Sequence, residues 1–481
     1  SEITPEHIYK NRRKFIKNSA LASSLFIVPR HVLGGSGFTA PSDRLNLGGI
    51  GLHGKGNSDI LHASVMGREN VVALCDVHQN AYGAQVAAKE FPNAKFYTDY
   101  REMLEKENLD GVTISTPDHT HANVSKVAME KGIHVYVQKP LTHNVKEARM
   151  LTNLARNNKI VTQMGNQGAS NPEQEMIQKW VKDGRIGKVK NVQTWTNRPV
   201  WPQGVSMKKP DPSQKPEGMN WDLWIGPAEN KGYTPGLHAF DWRGFWDYGT
   251  GALGDMGCHL MDAPIKSLGL FEPFSVEASV SNLPYASAFT PSPIIEEACP
   301  SSSYVTYKFK PSKINDSEVK MTWMDGGIRP SHPDIITDGN LGDSGVLIFG
   351  ENGLIWCEDY GVNAKLYING QNGAVEKGIV SGIDSVEFGH QKHWVDAIKD
   401  GYGSEKHSRL TSNFDFAGPL SEIVLLGNVA IRSSLLTRSP RSSMFIGRKP
   451  LIYDNKKMEI TNLEEANQFL TRNYRTGWEV I

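Results

Sequence analysis

The chain has 481 residues, in which 52 Lys and Arg balance 52 Asp and Glu, so the formal net charge is zero. This length predicts two or three domains, and the charge balance argues against a nucleic-acid partner, because surfaces that bind polyanions are basic. Its four cysteines are far apart and form no C-x-x-C pair, so no zinc or iron–sulfur site is expected, and a chain of this size needs no disulfide scaffold. No run of about 20 apolar residues is present, so no stable membrane span is expected.

The first 42 residues carry the pattern of an export signal. Arg12 and Arg13, followed by Lys17, precede an apolar stretch at 19–29. A basic segment before an apolar one is typical of secretory signals, and paired arginines indicate the twin-arginine variety. The expected location is therefore the periplasm or cell envelope, with residues 1–42 cleaved or kept as an arm packed on a neighbouring subunit. A surface helix with two chance arginines is the alternative.

Predicted strands alternate with predicted helices between 43 and 166. The strands are expected at 45–50, 71–75, 111–115, 134–137 and 160–164, and the helices at 55–68, 82–91, 100–106, 121–131 and 145–157. Asn144 is placed to cap the last of these helices. Alternation at this spacing predicts an α/β fold with a parallel, doubly wound sheet, so 43–166 is expected to form a Rossmann domain.

A Gly-rich turn follows the first predicted strand. Gly49, Ile50, Gly51 and Gly54 lie in a G-x-G-x-x-G pattern, and Asp76 ends the second strand 22 residues after Gly54. Such glycines let the backbone approach a pyrophosphate at a helix N-terminus, and the acid accepts hydrogen bonds from an adenosine ribose. An acid there also repels a 2′-phosphate. The pattern predicts dinucleotide binding, with NAD as the cofactor rather than NADP.

Two further strand ends carry candidate residues. Lys139 follows the strand at 134–137, on the edge where parallel sheets bind ligands, and it can bond a reacting hydroxyl or the nicotinamide ribose. A surface lysine is the alternative. Thr116, Pro117 and His121 follow the strand at 111–115, where helix capping is the other interpretation for the neighbouring Asp and Thr residues.

The remainder of the chain has a different pattern. Strand-like runs follow one another between 190 and 368 with few helices between them, so 167–450 is expected to form an α+β domain with an open, predominantly antiparallel sheet. Residues 451–481 are expected to be a tail packed on the two domains.

The densest group of chemical residues lies at 251–262. On a helix, Asp255, His259 and Asp262 share one face at i, i+4 and i+7. A His beside a carboxylate is a natural general acid or base, although a structural pair and an incomplete metal site are alternatives. Arg243 and Trp246 lie in an aromatic-rich run just before residue 251. Such aromatic side chains could stack on a sugar or could equally well be part of the hydrophobic core.

These motifs together resemble the glucose–fructose oxidoreductase / inositol dehydrogenase / MocA (Gfo/Idh/MocA) family, over about 43–450. The resemblance implies hydride transfer between nicotinamide and a sugar or cyclitol carbon, in a dimer or tetramer. It implies that Lys139 lies near the substrate hydroxyl, that His259 transfers the proton, and that Asp255 is its partner. The cofactor residues would include Thr116, Pro117, His121, Gln138 and Lys139, and the substrate residues Asn166, Gln167, Arg243, Trp246, Asp255 and His259.

The resemblance has two departures. Gln138 stands where the family usually has Glu, which removes a charge beside Lys139. Asn166 and Gln167 stand where an arginine is often found. The sequence is interpreted as an NAD(H)-dependent sugar or glycoside oxidoreductase. A redox-cycling glycosidase on the same fold and a non-catalytic cofactor-binding protein are the alternatives.

Overall fold

Two β-sheets organise the part of the chain that this computed structural model describes, residues 43–281, 294–378, 383–439 and 444–481. The first 42 residues, with the interpreted export signal, lie outside the described residues. The first sheet is parallel and the second is mostly antiparallel, so the fold class predicted from the sequence is confirmed.

The first sheet has six parallel strands in the order β3-β2-β1-β4-β5-β6. They are β1 (Asn46–Ile50), β2 (Asn70–Cys75), β3 (Lys95–Tyr97), β4 (Gly111–Ile114), β5 (His134–Val137) and β6 (Thr162–Met164). The strand order reverses between β1 and β4, and open α/β sheets bind ligands at the carboxyl ends beside such a point. The sequence missed β3, because three residues are too few to show a period.

Five helices pack on this sheet: α1 (Lys55–Ala63), α2 (Tyr82–Glu90), α3 (Tyr100–Lys106), α4 (His121–Glu130) and α5 (Val145–Asn157). Strand β4 is buried at every residue, as expected where helices cover both faces of a parallel sheet. The predicted cap of α5 is present, since Asn144 Oδ1 accepts from the Glu147 amide at 3.1 Å. Helix α1 ends at Ala63 rather than at 68, because Val65 and Met66 adopt positive φ.

The second sheet has ten strands in the order β14-β13-β12-β11-β7-β10-β9-β8-β15-β16. They are β7 (Val189–Trp195), β8 (Pro273–Val280), β9 (Ser303–Phe309), β10 (Val319–Met324), β11 (Gly345–Gly350), β12 (Gly353–Cys357), β13 (Lys365–Ile368), β14 (Glu376–Lys377), β15 (Leu451–Asp454) and β16 (Glu459–Ile460). Neighbouring strands are antiparallel except for β7 and β10, which run parallel.

The later helices connect and cover the sheets. They are α6 (Pro172–Lys182), α7 (Trp221–Ile225), α8 (Gly251–Leu260), α9 (Asp262–Leu268), α10 (Ile383–Asp400), α11 (Glu405–Ser408) and α12 (Phe414–Ser433). Within the described ranges α12 is the one helix long and apolar enough to cross a membrane, and 83% of its apolar window is buried inside the protein. It is therefore a core helix, and its buried side chains belong to one hydrophobic cluster that includes residues of both sheets.

Two elements cross the domain boundaries predicted from the sequence. Helix α10 belongs to the expected second domain, yet Trp394 is fully buried against Leu47 and Tyr136 of the first sheet. Strand β15 begins the expected tail, yet it pairs with β8 and extends the second sheet. The local spacing of apolar residues does not show on which distant element a helix or strand packs. From the sequence, such elements are therefore assigned to the domain of their neighbours along the chain.

Candidate active site

A cleft of about 420 Å³ lies at the carboxyl ends of β1, β2, β4 and β5. Its opposite wall is formed by residues 216–243, here called the strap, and by Trp478 near the chain end. The strap is tied to the turn after β2, because the Asn220 amide donates to the Val77 carbonyl at 2.8 Å. The cleft is therefore enclosed between the parallel sheet and a segment from the second half of the chain.

The Gly-rich turn forms one end of this cleft. Gly51 has φ +78°, and a Cβ there would lie 2.8 Å from the Ser115 carbonyl, so only glycine fits. The close packing of α1 on the sheet depends on Gly56, where a Cβ would lie 2.0 Å from the Gly51 carbonyl oxygen. Sequence reasoning named Gly49, Ile50, Gly51 and Gly54 but missed Gly56, which lies beyond the six-residue pattern. Ile50, Gly51 and Gly54 line the cleft, and Gly49 lies behind it.

Asp76 ends β2 and lines the same end of the cleft, as predicted from the sequence. Its Oδ2 accepts from the Leu52 amide in the Gly-rich turn at 2.9 Å, and its Oδ1 accepts from the His78 amide at 2.9 Å. Burial raises the pKa of the Asp76 carboxyl, although these two amides act in the opposite direction. The side chain thus fixes the turn and presents a carboxylate to the cleft.

The turn after β4 brings Thr116, Pro117 and His121 to the cleft. His121 Nε2 lies 2.8 Å from the Thr116 carbonyl oxygen, and Nδ1 lies 2.8 Å from the Pro140 carbonyl oxygen. Burial lowers the pKa of this imidazole. His121 therefore lies between the turn after β4 and the turn that holds Lys139, with a backbone carbonyl oxygen facing each ring nitrogen.

Gln138 is anchored by a carboxylate that sequence reasoning missed. Asp59 in α1 is fully buried, and Gln138 Nε2 donates to its Oδ2 at 2.8 Å. Ser115 Oγ donates to the same oxygen at 2.8 Å, while Lys55 Nζ at 2.5 Å and Gln391 Nε2 at 2.9 Å donate to Oδ1. A carboxylate with so many donors is well satisfied despite its burial. The missing family carboxylate at 138 thus has a counterpart at 59.

Lys139 points into the cleft and pairs with Asp255 of α8. Its Nζ donates to Asp255 Oδ1 at 2.9 Å and to the Asp255 carbonyl oxygen at 2.6 Å. Burial alone would raise the pKa of the Asp255 carboxyl, but Lys139 and then Arg243 outweigh it, and the pKa is lowered. Asp255 is therefore ionised and holds Lys139 in place. The sequence instead predicts that Asp255 pairs with His259.

His259 lies one helical turn after Asp255 and lines the same cleft. The predicted His–Asp hydrogen bond is not formed within the described residues, since Asp255 is engaged by Lys139 and His259 Nδ1 has no partner there. Its ring packs edge-on against Tyr360, with centroids 4.6 Å apart. Burial, and then the nearby Lys139 ammonium, hold the pKa of His259 well below its ordinary value. The imidazole is therefore neutral at physiological pH.

Only part of the predicted substrate set reaches the cleft. Gln167 and Arg243 line it, as do Asp255 and His259. Asn166 is fully buried outside the lining, where its Nδ2 donates to Asp262 at 2.9 Å and Ser412 bonds its Oδ1. Trp246 turns away into the core and borders a separate small cavity. Asn166 and Trp246, predicted as substrate contacts, thus lie outside the cleft lining, because both side chains pack against other parts of the protein.

Several lining residues were not among the predicted site residues. Trp224, His238 and Phe240 of the strap, Tyr360 after β12 and Trp478 come from distant parts of the chain. Asp118 also lines the cleft, and its Oδ2 accepts from Thr250 Oγ1 at 2.5 Å. Burial raises the pKa of Asp118 to about 7. From the sequence, Asp118 is predicted only to cap a helix.

The parallel sheet order, the Gly-rich turn and the acid at the end of β2 define a dinucleotide-binding Rossmann protein. Residues 45–166 match the "Oxidoreductase family, NAD-binding Rossmann fold", and residues 171–281 match the "Oxidoreductase family, C-terminal alpha/beta domain". Over these two regions the chain is similar to the Gfo/Idh/MocA oxidoreductase family.

Curated relatives are similar over a limited stretch. A "Glycosyl hydrolase family 109 protein" of Shewanella sp. (strain W3-18-1) is 29% identical over 161 residues, 32% of this chain and 35% of that protein. "Levoglucosan dehydrogenase" of Pseudarthrobacter phenanthrenivorans is 26% identical over 193 residues, 39% of this chain and 40% of that protein. The match thus spans well under two thirds of either relative's length.

A solved structure supports the fold over a longer stretch. Levoglucosan dehydrogenase in complex with NADH and levoglucosan superposes with a TM-score of 0.55 at 16% sequence identity, covering 81% of this chain and 98% of that one. Likeness at this level of identity speaks for the architecture, while function has to be argued from the site.

Proposed function

We propose that this chain is an NAD-dependent oxidoreductase that moves hydride between nicotinamide and a hydroxyl-bearing carbon of a sugar, glycoside or cyclitol. The observation that carries the proposal is the convergence of Lys139, Asp255 and His259 in the cleft that also holds the Gly-rich turn and Asp76. Gly54 lines the cleft at the N-terminus of α1, and a Cβ there would meet nothing within 4 Å, so a pyrophosphate fits these residues. NAD, when bound, supplies the hydride acceptor.

The side chains divide the remaining work. Lys139, held by Asp255 at 2.9 Å, donates to the reacting oxygen and stabilises negative charge there. His259 is neutral, so it accepts the hydroxyl proton. Asp255, whose charge raises the pKa of His259, offsets part of the opposing effect of burial and Lys139 on the positive charge that then forms on the ring. Gln138 and His121 hold the turn that carries Lys139.

Replacement of His259 tests this assignment. We expect His259→Ala to lower kcat by about 10²- to 10⁴-fold, the usual worth of general acid–base catalysis, with the sugar found by a screen for NADH formation at 340 nm. The affinity for NADH should change little, because the residue belongs to α8 and not to the Gly-rich turn. His332→Ala, at an exposed histidine, is the matched control. Unchanged turnover in His259→Ala and in Lys139→Met would refute the roles given to these residues. Normal NADH binding without turnover of any sugar would favour the non-catalytic alternative.

A second candidate function is redox-cycling hydrolysis of glycosides. It is favoured by the relatives named as glycosyl hydrolases and by the strap over the cleft, which suits a cofactor recycled in place. In this reaction a sugar carbon is oxidised, the aglycone is eliminated, water adds and the carbon is reduced again. Incubation with nitrophenyl glycosides separates the two functions. Release of nitrophenol without net NADH formation indicates the hydrolase, whereas stoichiometric NADH indicates the dehydrogenase.

We also propose that the chain acts in the periplasm or cell envelope after twin-arginine export, as a homo-oligomer. Support comes from the paired arginines at 12 and 13 before an apolar stretch, and from the oligomers that the family resemblance implies. A route that exports folded proteins suits an enzyme that carries its own dinucleotide.

A further inference from the structure

The inner end of the cleft holds an arginine that the protein leaves largely unsatisfied. The Arg243 guanidinium lies over the rings of Phe240, at 4.5 Å, and Trp242, at 4.4 Å, and its side chain is 26% exposed. Nη1 donates to the Phe240 carbonyl at 3.2 Å, and Nε lies 3.7 Å from Asp255 Oδ1. Neither N–H of Nη2 has an acceptor among the described residues. The rings hold the guanidinium in place, while its donors remain available.

The carboxylates near Arg243 also interact with other groups. Asp255 is bonded by Lys139 at 2.9 Å, and Arg198 lies 4.0 Å from its second oxygen. Asp359 is the other carboxyl that faces Arg198. Asp118 is bonded by Thr250, and burial raises its pKa to about 7. Asp255, the one carboxylate paired with Arg243 among the described residues, is thus shared with Lys139 and Arg198.

An arginine in this state is suited to an anion. A guanidinium presents planar paired donors that match a carboxylate or phosphate, and its delocalised charge stacks on aromatic rings. Asp255 is 17% exposed and Arg243 lines the cleft beside it, so a ligand that reaches Lys139 also reaches Arg243. The hydroxyls of a neutral sugar can also accept from Nη2, but a carboxylate or phosphate accepts through two oxygens and carries the opposite charge, which makes the hydrogen bonds stronger.

We propose that the substrate of this site is an anionic sugar, and that Arg243 binds its charged oxygen group. The inference rests on the proposed function, since it names the substrate class of the same cleft. A carboxylate, as in a uronic acid or its glycoside, and a phosphate ester present the same chemistry to the guanidinium.

The test is calorimetric binding to the NADH-loaded full chain. Matched pairs serve as probes: glucuronate with glucose, galacturonate with galactose, and glucose 6-phosphate to separate a phosphate from a carboxylate. We expect at least one charged probe to bind about 10- to 100-fold more tightly than its neutral counterpart, the usual effect of hydrogen bonds to a charged group. Arg243→Gln should remove this difference, and Arg243→Lys, which keeps the charge without the fork, should keep part of it.

Arg156→Gln, at an arginine on the surface, is the matched control and should keep the full preference. NADH affinity and melting temperature, measured for each variant, separate lost recognition from lost folding. Equal binding of every charged and neutral pair, no sugar binding at all, or a preference that survives in Arg243→Gln would each overturn the inference. Absence of saturable NADH binding to the unmodified chain would instead overturn the proposed function.

Discussion

The buried carboxylate of Asp59 explains an amide at position 138. Its two oxygens accept hydrogen bonds from Lys55, Ser115, Gln138 and Gln391. This one carboxylate therefore links α1, the ends of β4 and β5, and α10. A glutamate at 138 would place a second carboxylate where the Gln138 amide now donates at 2.8 Å. The buried carboxylate at this point thus belongs to Asp59 of α1 rather than to residue 138.

Gln138→Glu should therefore destabilise the fold in a pH-dependent way. The new carboxyl would have a folded pKa above its unfolded value of about 4.3, so the variant matches the original near pH 4 and loses stability as the pH rises through the folded pKa. We expect a loss of about 3–5 kcal/mol in unfolding free energy at pH 8, the usual cost of an uncompensated buried charge. Thermal or urea unfolding between pH 4 and 8 measures it.

The reciprocal swap provides the control. Asp59→Asn combined with Gln138→Glu restores one carboxylate facing one amide, and it should recover most of the stability at pH 8. Gln371→Glu, at an exposed position, should leave stability almost unchanged. A single Gln138→Glu variant as stable as the original over the whole pH range would contradict the contact with Asp59.

Asp76 should decide the choice between dinucleotides. Its carboxylate, held by the Leu52 and His78 amides, would face a 2′-phosphate and repel it. We expect NADH to bind more tightly than NADPH in fluorescence titrations, and Asp76→Ser to narrow the ratio by about tenfold, or ~1.4 kcal/mol. Asp183→Ser, at the end of α6, is the control and should leave the ratio as it was. Tighter NADPH binding by the unmodified chain would refute the assignment.

At the scale of elements, the strap and the chain end act together as a wall of the cleft. Arg475 Nε donates to the Gly226 carbonyl at 2.9 Å, and the Trp478 carbonyl accepts from Asn123 of α4 at 2.6 Å. Trp478 is thereby held against both the strap and the parallel sheet. A cofactor in the cleft would be covered on this side by Trp478 and the strap.

We therefore expect the protein to purify with NAD(H) bound without any being added, detectable by mass spectrometry of the heat-released supernatant. Trp478→Ala should speed cofactor release by about tenfold, which corresponds to ~1.4 kcal/mol of lost packing. Stopped-flow displacement measures the rate, and Ile481→Ala, an exposed residue of the same tail, is the control. A protein isolated free of nucleotide, with the same release rate in both variants, would argue against retention by this wall.

At the scale of the whole molecule, the N-terminal segment is expected to set location. Arg12→Lys with Arg13→Lys should abolish export of the folded protein, since the pair is what the twin-arginine route recognises. Immunodetection in periplasmic and cytoplasmic fractions measures this, with Lys14→Arg as the control. Equal export of the double variant would remove the twin-arginine interpretation.

The same segment decides between cleavage and an arm on a neighbouring subunit. Residues 25–28 are apolar, and burying four such side chains contributes roughly 6–12 kcal/mol. If the segment is retained as an arm, a variant that starts at Ser42 should form a smaller oligomer in light scattering. A mature chain that begins beyond residue 30, with unchanged assembly, would remove the arm and leave the signal.

The sequence by itself determined the features that depend on near neighbours. The strand and helix periods predicted the parallel sheet, and the turns at Gly51, Asp76, Thr116 and Lys139 follow its strands directly, so their meeting at one edge follows from parallel topology. These residues all line one cleft. Local pattern is sufficient for them because strand ends are placed by the sheet itself.

Only the tertiary structure decided which side chains pair. Lys139 and Asp255 are 116 residues apart, and the sequence instead paired Asp255 with His259, its neighbour on the same helix. Asn166 and Trp246 were drawn into the core, and α10 docked on the first sheet, because burial and hydrogen bonding are settled among elements that meet only in space. The strap over the cleft has the same origin. A local pattern carries no record of the surface on which a distant segment packs.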